Sequence, residues 1–302
     1  MAELIIGRAA RANGISALQS ISSGKKSRLA AYLVGFAGII TVTFILRFYA
    51  IISGWMIAHF FDGFAQILEL NTISNWLVTD APIRSSLFVI LFILFTVNII
   101  SAGVENGIEK WASRLMPSLI VLLILLIFYV ISLPGALEGL RVYLIPDFSR
   151  LSDPTLLVDA MGQAFFSLSL GVGTMLIYGS YISDKENLPV IGGLVALLDI
   201  GIAVIAGLLI LPAMYVAFSN GVEIFDSSGE FIAGPGLIVS VLPTLFETMG
   251  AVGIIISLAF FLLMTIASLT SSISMLEVPV SYAVEYHGIC RKRAAIGIGT
   301  IV

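Results

Sequence analysis

The chain is short of charge, and shorter still of the residues that carry most redox and metal chemistry. Charged side chains are 11% of its 302 residues and hydrophobic ones 59%, with a mean hydropathy of +1.07. A soluble globule would be roughly a quarter charged, so the composition is that of an integral membrane protein. A single cysteine, Cys290, excludes an intramolecular disulfide framework and has no partner for a redox pair or a CxxC metal site. His59 and His287 are the only histidines and stand far apart, with no ligand cluster for zinc between them. No acidic or basic run is long enough to bind nucleic acid, and the net charge of −4 says little about partners. An intramembrane enzyme is disfavoured, because no Ser–His, Asp–Asp or metal constellation falls at compatible depths.

What the chain has in abundance is long apolar runs. Runs of about 20 residues or more are candidate transmembrane helices, and six occur: 33–61, 85–104, 116–135, 159–182, 189–218 and 249–284. A seventh opens near Ala294 and reaches Val302 before it can cross a hydrocarbon core of ~30 Å at about 1.5 Å per residue. Met1 opens straight into an apolar stretch with no signal peptide. The expectation is one all-α transmembrane domain over 1–302, truncated at both ends. Lys and Arg give its orientation. Arg8, Arg11, Lys25, Lys26, Arg28, Lys110, Arg114, Lys185, Arg291, Lys292 and Arg293 fall in one set of loops, against Arg84, Arg141 and Arg150 in the other. This predicts residues 1–32, 105–116, 183–188 and 286–294 in the cytoplasm, and 62–84, 136–158 and 219–248 outside. Within the last of these, Leu237 to Pro243 reads either as a segment dipping back toward the bundle or as a surface helix.

Polar groups at membrane depth are expensive, so each is weighed as functional or as packing. The run 160–181 is long enough to cross a bilayer yet carries Ser167-Leu-Ser169-Leu-Gly171-Val-Gly173 at its centre, with Gln163, Phe165 and Phe166 beside it. Such a helix is arranged to break, and free backbone groups at that depth are tolerated where they line a cavity or hold a ligand. The alternative is close packing through small residues. In the last full span, Thr270, Ser271 and Ser274 share a face near Ala267. Hydroxyl and carbonyl oxygens there suit an alkali cation, whereas back-bonding to the preceding turn is the plainer reading. Asp199 lies mid-span and would be neutral unless a cation accompanies it; a buried, hydrogen-bonded acid is the alternative. Glu277 continues the Thr270 face, toward an exit path or the interface. Arg47 is mid-span too, and pairing with a carboxylate is its simplest explanation.

Four motifs in order then carry a resemblance over the whole chain: Met1-Ala-Glu-Leu-Ile-Ile-Gly-Arg8, Gly103-Val-Glu-Asn-Gly-Ile-Glu-Lys110 with Leu115-Met-Pro117, Gly162-Gln-Ala-Phe-Phe-Ser-Leu-Ser-Leu-Gly-Val-Gly173 and Ala267-Ser-Leu-Thr-Ser-Ser272. They resemble the neurotransmitter:sodium symporters of the LeuT fold, with Met1 at the end of that family's second helix and Val302 at the start of its ninth. The resemblance implies an inverted-repeat bundle in which substrate and Na⁺ sit between unwound parts of the first and sixth helices. It implies Ser167 and Asp199 as ligands of one sodium, and Ala267, Thr270 and Ser271 as the shell of another. Tyr49, in Leu46-Arg-Phe-Tyr-Ala-Ile-Ile-Ser-Gly-Trp55, resembles the tyrosine that bonds the substrate carboxylate. Phe166 resembles the aromatic lid, and Ile45, Ser167, Ser169, Val172, Ser271 and Met275 complete the substrate pocket. Tyr181 and Glu285 resemble parts of the inner gate, although the arginine that pairs with an aspartate at the Glu285 position is absent.

The implied activity is sodium-coupled symport of an amino acid or related amine, with Na⁺ as coupling ion and no organic cofactor, in a cell membrane such as a bacterial inner membrane. Partners are the small-molecule substrate and the lipid bilayer, with no nucleic acid; a homo-oligomer is left open. Asp199 stands where chloride-dependent members carry a neutral residue, and Ala203 where they carry serine, so coupling is expected to be chloride-independent. Without the first helix this chain alone is expected not to transport. The other reading is a non-transporting membrane fragment or sensor derived from such a transporter.

Overall fold

The computed structural model describes residues 1–79, 81–146, 148–150, 152–227, 229 and 231–302. The side chain of Arg150, counted above as an outer cation, lies outside the described residues. Apart from an isolated bridge between Phe225 and Phe231, the described elements are helical, as the composition predicts. Two short helices, α1 (Ala2–Ala10) and α2 (Gly14–Ser20), precede α3 (Lys25–Ile67). The side-chain oxygen of Asn13 accepts from the N–H groups of Ile15 and Ser16 at 3.1 Å each and so starts α2. With 43 residues, α3 is about 65 Å long at 1.5 Å per residue. It must tilt or project beyond an apolar layer of ~30 Å.

Beyond the short α4 (Asn71–Val78), α5 (Pro82–Ser101) runs back beside α3, and Pro82 at its start needs no hydrogen-bond partner for a missing N–H. The next helix begins earlier than the sequence predicts. A π-turn over Val104–Glu109 leads directly into α6 (Lys110–Ile131), so the stretch 105–116, expected as a loop, is helical. Its Glu, Lys and Arg residues suggested a loop, but charge forbids a helix only inside the bilayer, and the chain reverses within residues 102–103. Helix α7 (Ala136–Leu144) follows, then α8 (Pro154–Ser167), capped by Asp153 through the N–H of Thr155 at 2.9 Å. The expected span 159–182 is two pieces, α8 and α9 (Thr174–Tyr181), separated by residues 168–173.

Helix α10 (Leu188–Ser219) is capped by Asn187, and a second π-turn, Leu237–Val241, opens into α11 (Leu242–Thr248). Val241, Leu242, Leu245 and Phe246 are buried there, which selects the inward-packing reading of this outer stretch over an exposed surface helix. Finally α12 (Gly250–His287) runs the length of the bundle and stops at Gly288, in the left-handed conformation at φ 65°, before α13 (Arg291–Ile301). Thus α13 begins three residues before the predicted Ala294. Among the described residues five helices are long and apolar enough to cross a membrane: α3, α5, the π-turn with α6, α10 and α12.

Two apolar cores hold these helices. One joins α3, α5, α9, α12 and α13 through Leu46, Phe92, Ile177, Leu276 and Ala295. The other joins α6, α10, α11 and α12 through Leu126, Met214, Leu242 and Phe261. Because α12 contributes to both, it is the spine against which the broken helix is displayed. Leu194, Leu197, Leu198 and Ile200 on α10 face outward, which suits a lipid environment in a multi-pass membrane protein.

Candidate functional site

The break between α8 and α9 is built from backbone that only a special sequence adopts. Gly171 and Gly173 have φ of 82° and 89°, and Ser169 has 52°. A β-carbon is disfavoured in this region. Freed from a helical ladder, the N–H of Gly171 donates to Oε1 of Glu3 at 2.8 Å. Glu3 is held there by the packing of α1 on α9, where Gly7 approaches so closely that an added Cβ would lie 2.0 Å from the carbonyl oxygen of Leu176. Glu3 is a functional candidate the sequence reading left without a role. Its signal was a lone carboxylate in the apolar opening of the chain.

A cavity of about 730 Å³ opens at the break, within the size range of small-molecule sites. It is lined by every residue expected in the substrate pocket: Ile45, Tyr49, Phe166, Ser167, Ser169, Val172, Ser271 and Met275. Gln163 and Ser274, both singled out in the sequence, also line it, together with Met116, Thr174 and Tyr178, which were not predicted. Asp199 reaches it from α10, and its Oδ1 accepts from the hydroxyl of Ser167 at 2.6 Å. The two residues assigned to one sodium are therefore adjacent, and Asp199 is partly exposed to the cavity rather than sealed in a core. It is the one charged residue in the lining, so the electrostatics favour a cation.

Across the cavity, Thr270 and Ser271 face inward from α12. The Thr270 hydroxyl donates to the carbonyl oxygen of Ala267 at 2.8 Å, so the three residues assigned to the other sodium lie together. The same bond is the back-bonding expected of a helical threonine. A cation accepting the Thr270 oxygen's lone pairs would leave that proton where it is, and the two readings are compatible.

The residues that the resemblance assigned to gates lie apart from one another. Phe166 stands at the cavity, half exposed. Tyr181 donates to Oε1 of Glu277 at 2.5 Å, while Arg291 bonds Oε2 of Glu277, also at 2.5 Å, and the carbonyl oxygen of Ile100 at 2.9 Å. Glu277 is fully buried, at neither an open exit path nor the interface, and it links α9, α12 and α13. Glu285 instead accepts from the backbone and side-chain N–H groups of Asn13 at the start of α2. Arg47 forms no ion pair among the described residues, which corrects the expected carboxylate partner. It lies on an exposed face of α3 beside the apolar residues Ile51, Val89, Ile93 and Val97, where neither α5 nor α13 offers an acid.

A bundle of apolar helices with one helix broken over a cavity, and oxygen ligands converging from three helices, defines the architecture of a LeuT-type membrane transporter. The comparisons agree. A profile of the sodium:neurotransmitter symporter family matches residues 81–302. The chain is 31% identical to an uncharacterized sodium-dependent transporter of Haemophilus influenzae, over 98% of this chain and 65% of the relative. It is 32% identical to the sodium-dependent transporter YhdH of Bacillus subtilis, over 92% of this chain and 59% of the relative. Among solved structures, MhsT in complex with L-phenylalanine superposes with a TM-score of 0.82 at 37% identity, over 99% of this chain and 66% of MhsT. The chain belongs to the sodium:neurotransmitter symporter family, a family of transporters, and spans about two thirds or less of the length of these relatives.

Proposed function

We propose that this chain supplies most of the substrate cavity and one side of each sodium site in a symporter that carries an amino acid or related amine, with its Lys- and Arg-rich end in the cytoplasm. The observation that carries the reading is the Ser167–Asp199 bond at the rim of a cavity that also gathers Tyr49, Thr270 and Ser271. A carboxylate beside hydroxyls in an apolar surround is a site for a hard monovalent cation. The organic ligand meets aromatic and thioether walls at Tyr49, Phe166, Met175 and Met275. MhsT, in which L-phenylalanine is bound, supports an amino acid as the ligand class. With Val172 small, the pocket accepts a large side chain.

Asp199 also carries the proposed chloride independence, since a fixed carboxylate supplies the negative charge an anion would otherwise bring. The test uses a full-length version in which residues 1–302 occupy the matching stretch of MhsT. Labelled amino-acid uptake in proteoliposomes should require sodium and persist when gluconate replaces chloride. Uptake that ignores sodium overturns the symport reading, and uptake that falls in gluconate overturns the role given to Asp199.

A further inference from the structure

We infer that the groove between α3, α5 and α13 holds one anionic phospholipid whose phosphate pairs with Arg47; the inference goes beyond the symport reading and does not depend on it. The groove has a volume of about 790 Å³ and shares no lining residue with the substrate cavity. Ile51 of α3, Val89, Ile93 and Val97 of α5 and Ile296 of α13 give it apolar walls, and Arg47 is the one charged side chain in the lining. Arg47 forms no hydrogen bond or ion pair among the described residues. A guanidinium within an apolar span is costly unless an anion accompanies it.

The depth of Arg47 decides where that anion comes from. Helix α5 has 20 residues, about 30 Å at 1.5 Å each, so it just crosses a hydrocarbon core, with Pro82 at one boundary and Ser101 at the other. It runs opposite to α3, and the two cross where Gly54 meets the backbone of Phe88 and Val89. A Cβ added to Gly54 would lie 2.9 Å from the nitrogen of Val89. Arg47 is seven residues before Gly54, about 10 Å back along α3, which brings it level with the Val97 end of α5. From Val97 to Ser101 is only about 6 Å more. A helical side chain leans toward the N-terminus of its own helix, here toward Lys25, Lys26 and Arg28. The long Arg47 side chain therefore snorkels to the boundary at the Lys- and Arg-rich end of the bundle.

The anion found at such a boundary is a lipid phosphate, and a guanidinium fork binds two phosphate oxygens at once. The lining holds no acid to receive the ammonium of a zwitterionic head group, so a lipid of net negative charge fits. Its acyl chain follows Val97, Ile93 and Val89, which are four residues apart and form one stripe along α5. From Val97 to Pro82 this stripe is about 22 Å long, enough for a chain that crosses its own leaflet of about 15 Å, half the core. The α13 wall is seated tightly on this floor, since a Cβ added to Gly299 would lie 2.5 Å from Cγ2 of Val97.

The test is native mass spectrometry of the full-length version, equilibrated in micelles with equal phosphatidylglycerol and phosphatidylcholine. One lipid should be retained, with phosphatidylglycerol preferred about tenfold, the effect of one charge-assisted hydrogen bond. Arg47→Gln should bring that ratio below about twofold, and Arg47→Lys, which keeps the charge without the fork, should fall between. Lys25→Gln with Lys26→Gln leaves the groove untouched and should keep the preference. Leu94→Trp fills the groove from its exposed side and should lose the lipid with Arg47 intact, which decides the matter if Arg47→Gln does not fold. Equal retention of the two lipids overturns the inference, as does a preference that survives Arg47→Gln or vanishes with the two lysines. A parent that retains no lipid also overturns it, and makes an acid elsewhere in the longer chain the partner of Arg47. Sodium-driven uptake by the same parent judges the symport reading separately.

Discussion

Asp199 and Ser167 meet over 2.6 Å although 32 residues separate them, and both were legible in the sequence because a carboxylate or a hydroxyl in an apolar run has few inexpensive explanations. If Asp199 holds a cation, Asp199→Asn keeps the shape and removes the charge. Losing one charged ligand, worth about 1.5–3 kcal/mol, should raise the sodium concentration for half-maximal uptake at least about tenfold in the full-length version. An unchanged sodium curve would take Asp199 out of the site. Glu277 and Arg47 show where residue-level reading ends. Both are charges within helical spans, but the partner of Glu277 is Arg291, beyond a chain reversal at Gly288, and Arg47 has an exposed face in place of a partner. Pattern shows that a charge needs relief, whereas tertiary packing decides which group supplies it. Glu277 is fully buried and Arg291 has 23% of its side chain exposed. Arg291→Ala should therefore cost about 3–5 kcal/mol, because it strands a buried charge. Thermal unfolding in detergent would show the loss, and the paired change Glu277→Gln with Arg291→Gln should recover part of it.

At the scale of elements, the break was legible almost to the residue. Glycine and serine at 167–173 predicted it, and residues 168–173 are the non-helical ones. Local sequence sufficed there because the conformation needs positive φ at Gly171 and Gly173. The extra turn before α6 was not legible, since 105–116 mixes charges with apolar residues and a helix projecting from a membrane has the composition of a loop. Nor was the seating of α1 on α9, which depends on what Gly7 meets across the interface. Leu176 and its carbonyl leave no room for a side chain at that position. Gly7→Val should push the two helices apart and cost about 1–3 kcal/mol, as overpacking does. It should also draw Glu3 away from Gly171, so substrate affinity should fall with stability. A second variant separates the two effects: Glu3→Gln leaves the helix interface alone and should weaken binding with a smaller change in unfolding temperature. If Glu3→Gln bound substrate as well as the parent, the carboxylate would have no part in holding the break.

Over the whole molecule, burial is uneven in a way that bears on what the chain does by itself. The α3–α12 pair and its neighbours form two cores, and the path superposes on MhsT over 99% of the chain with a TM-score of 0.82. The arrangement of these helices is therefore a family arrangement. Yet α8 buries none of its residues, and Phe165 and Phe166 are half exposed on it. The wall of the cavity formed by α8 and α10 is thus supported from one side, and the sodium sites proposed at Asp199 and Thr270 would each have few ligands from this chain. A cation released from water into so incomplete a shell gains too little to offset its desolvation. A cavity open along one wall also cannot alternate between closed and open faces, which transport requires. Residues 1–302 alone in proteoliposomes should therefore give no sodium-dependent amino-acid uptake above empty vesicles, while the full-length version does. Because no residue of α8 is buried, a fluorophore at Gln163 should report high mobility in the chain alone and low mobility in the full-length version with sodium and substrate. Sodium-dependent uptake by the chain alone would overturn this, and would mean that α8 completes its wall with partners other than a longer chain.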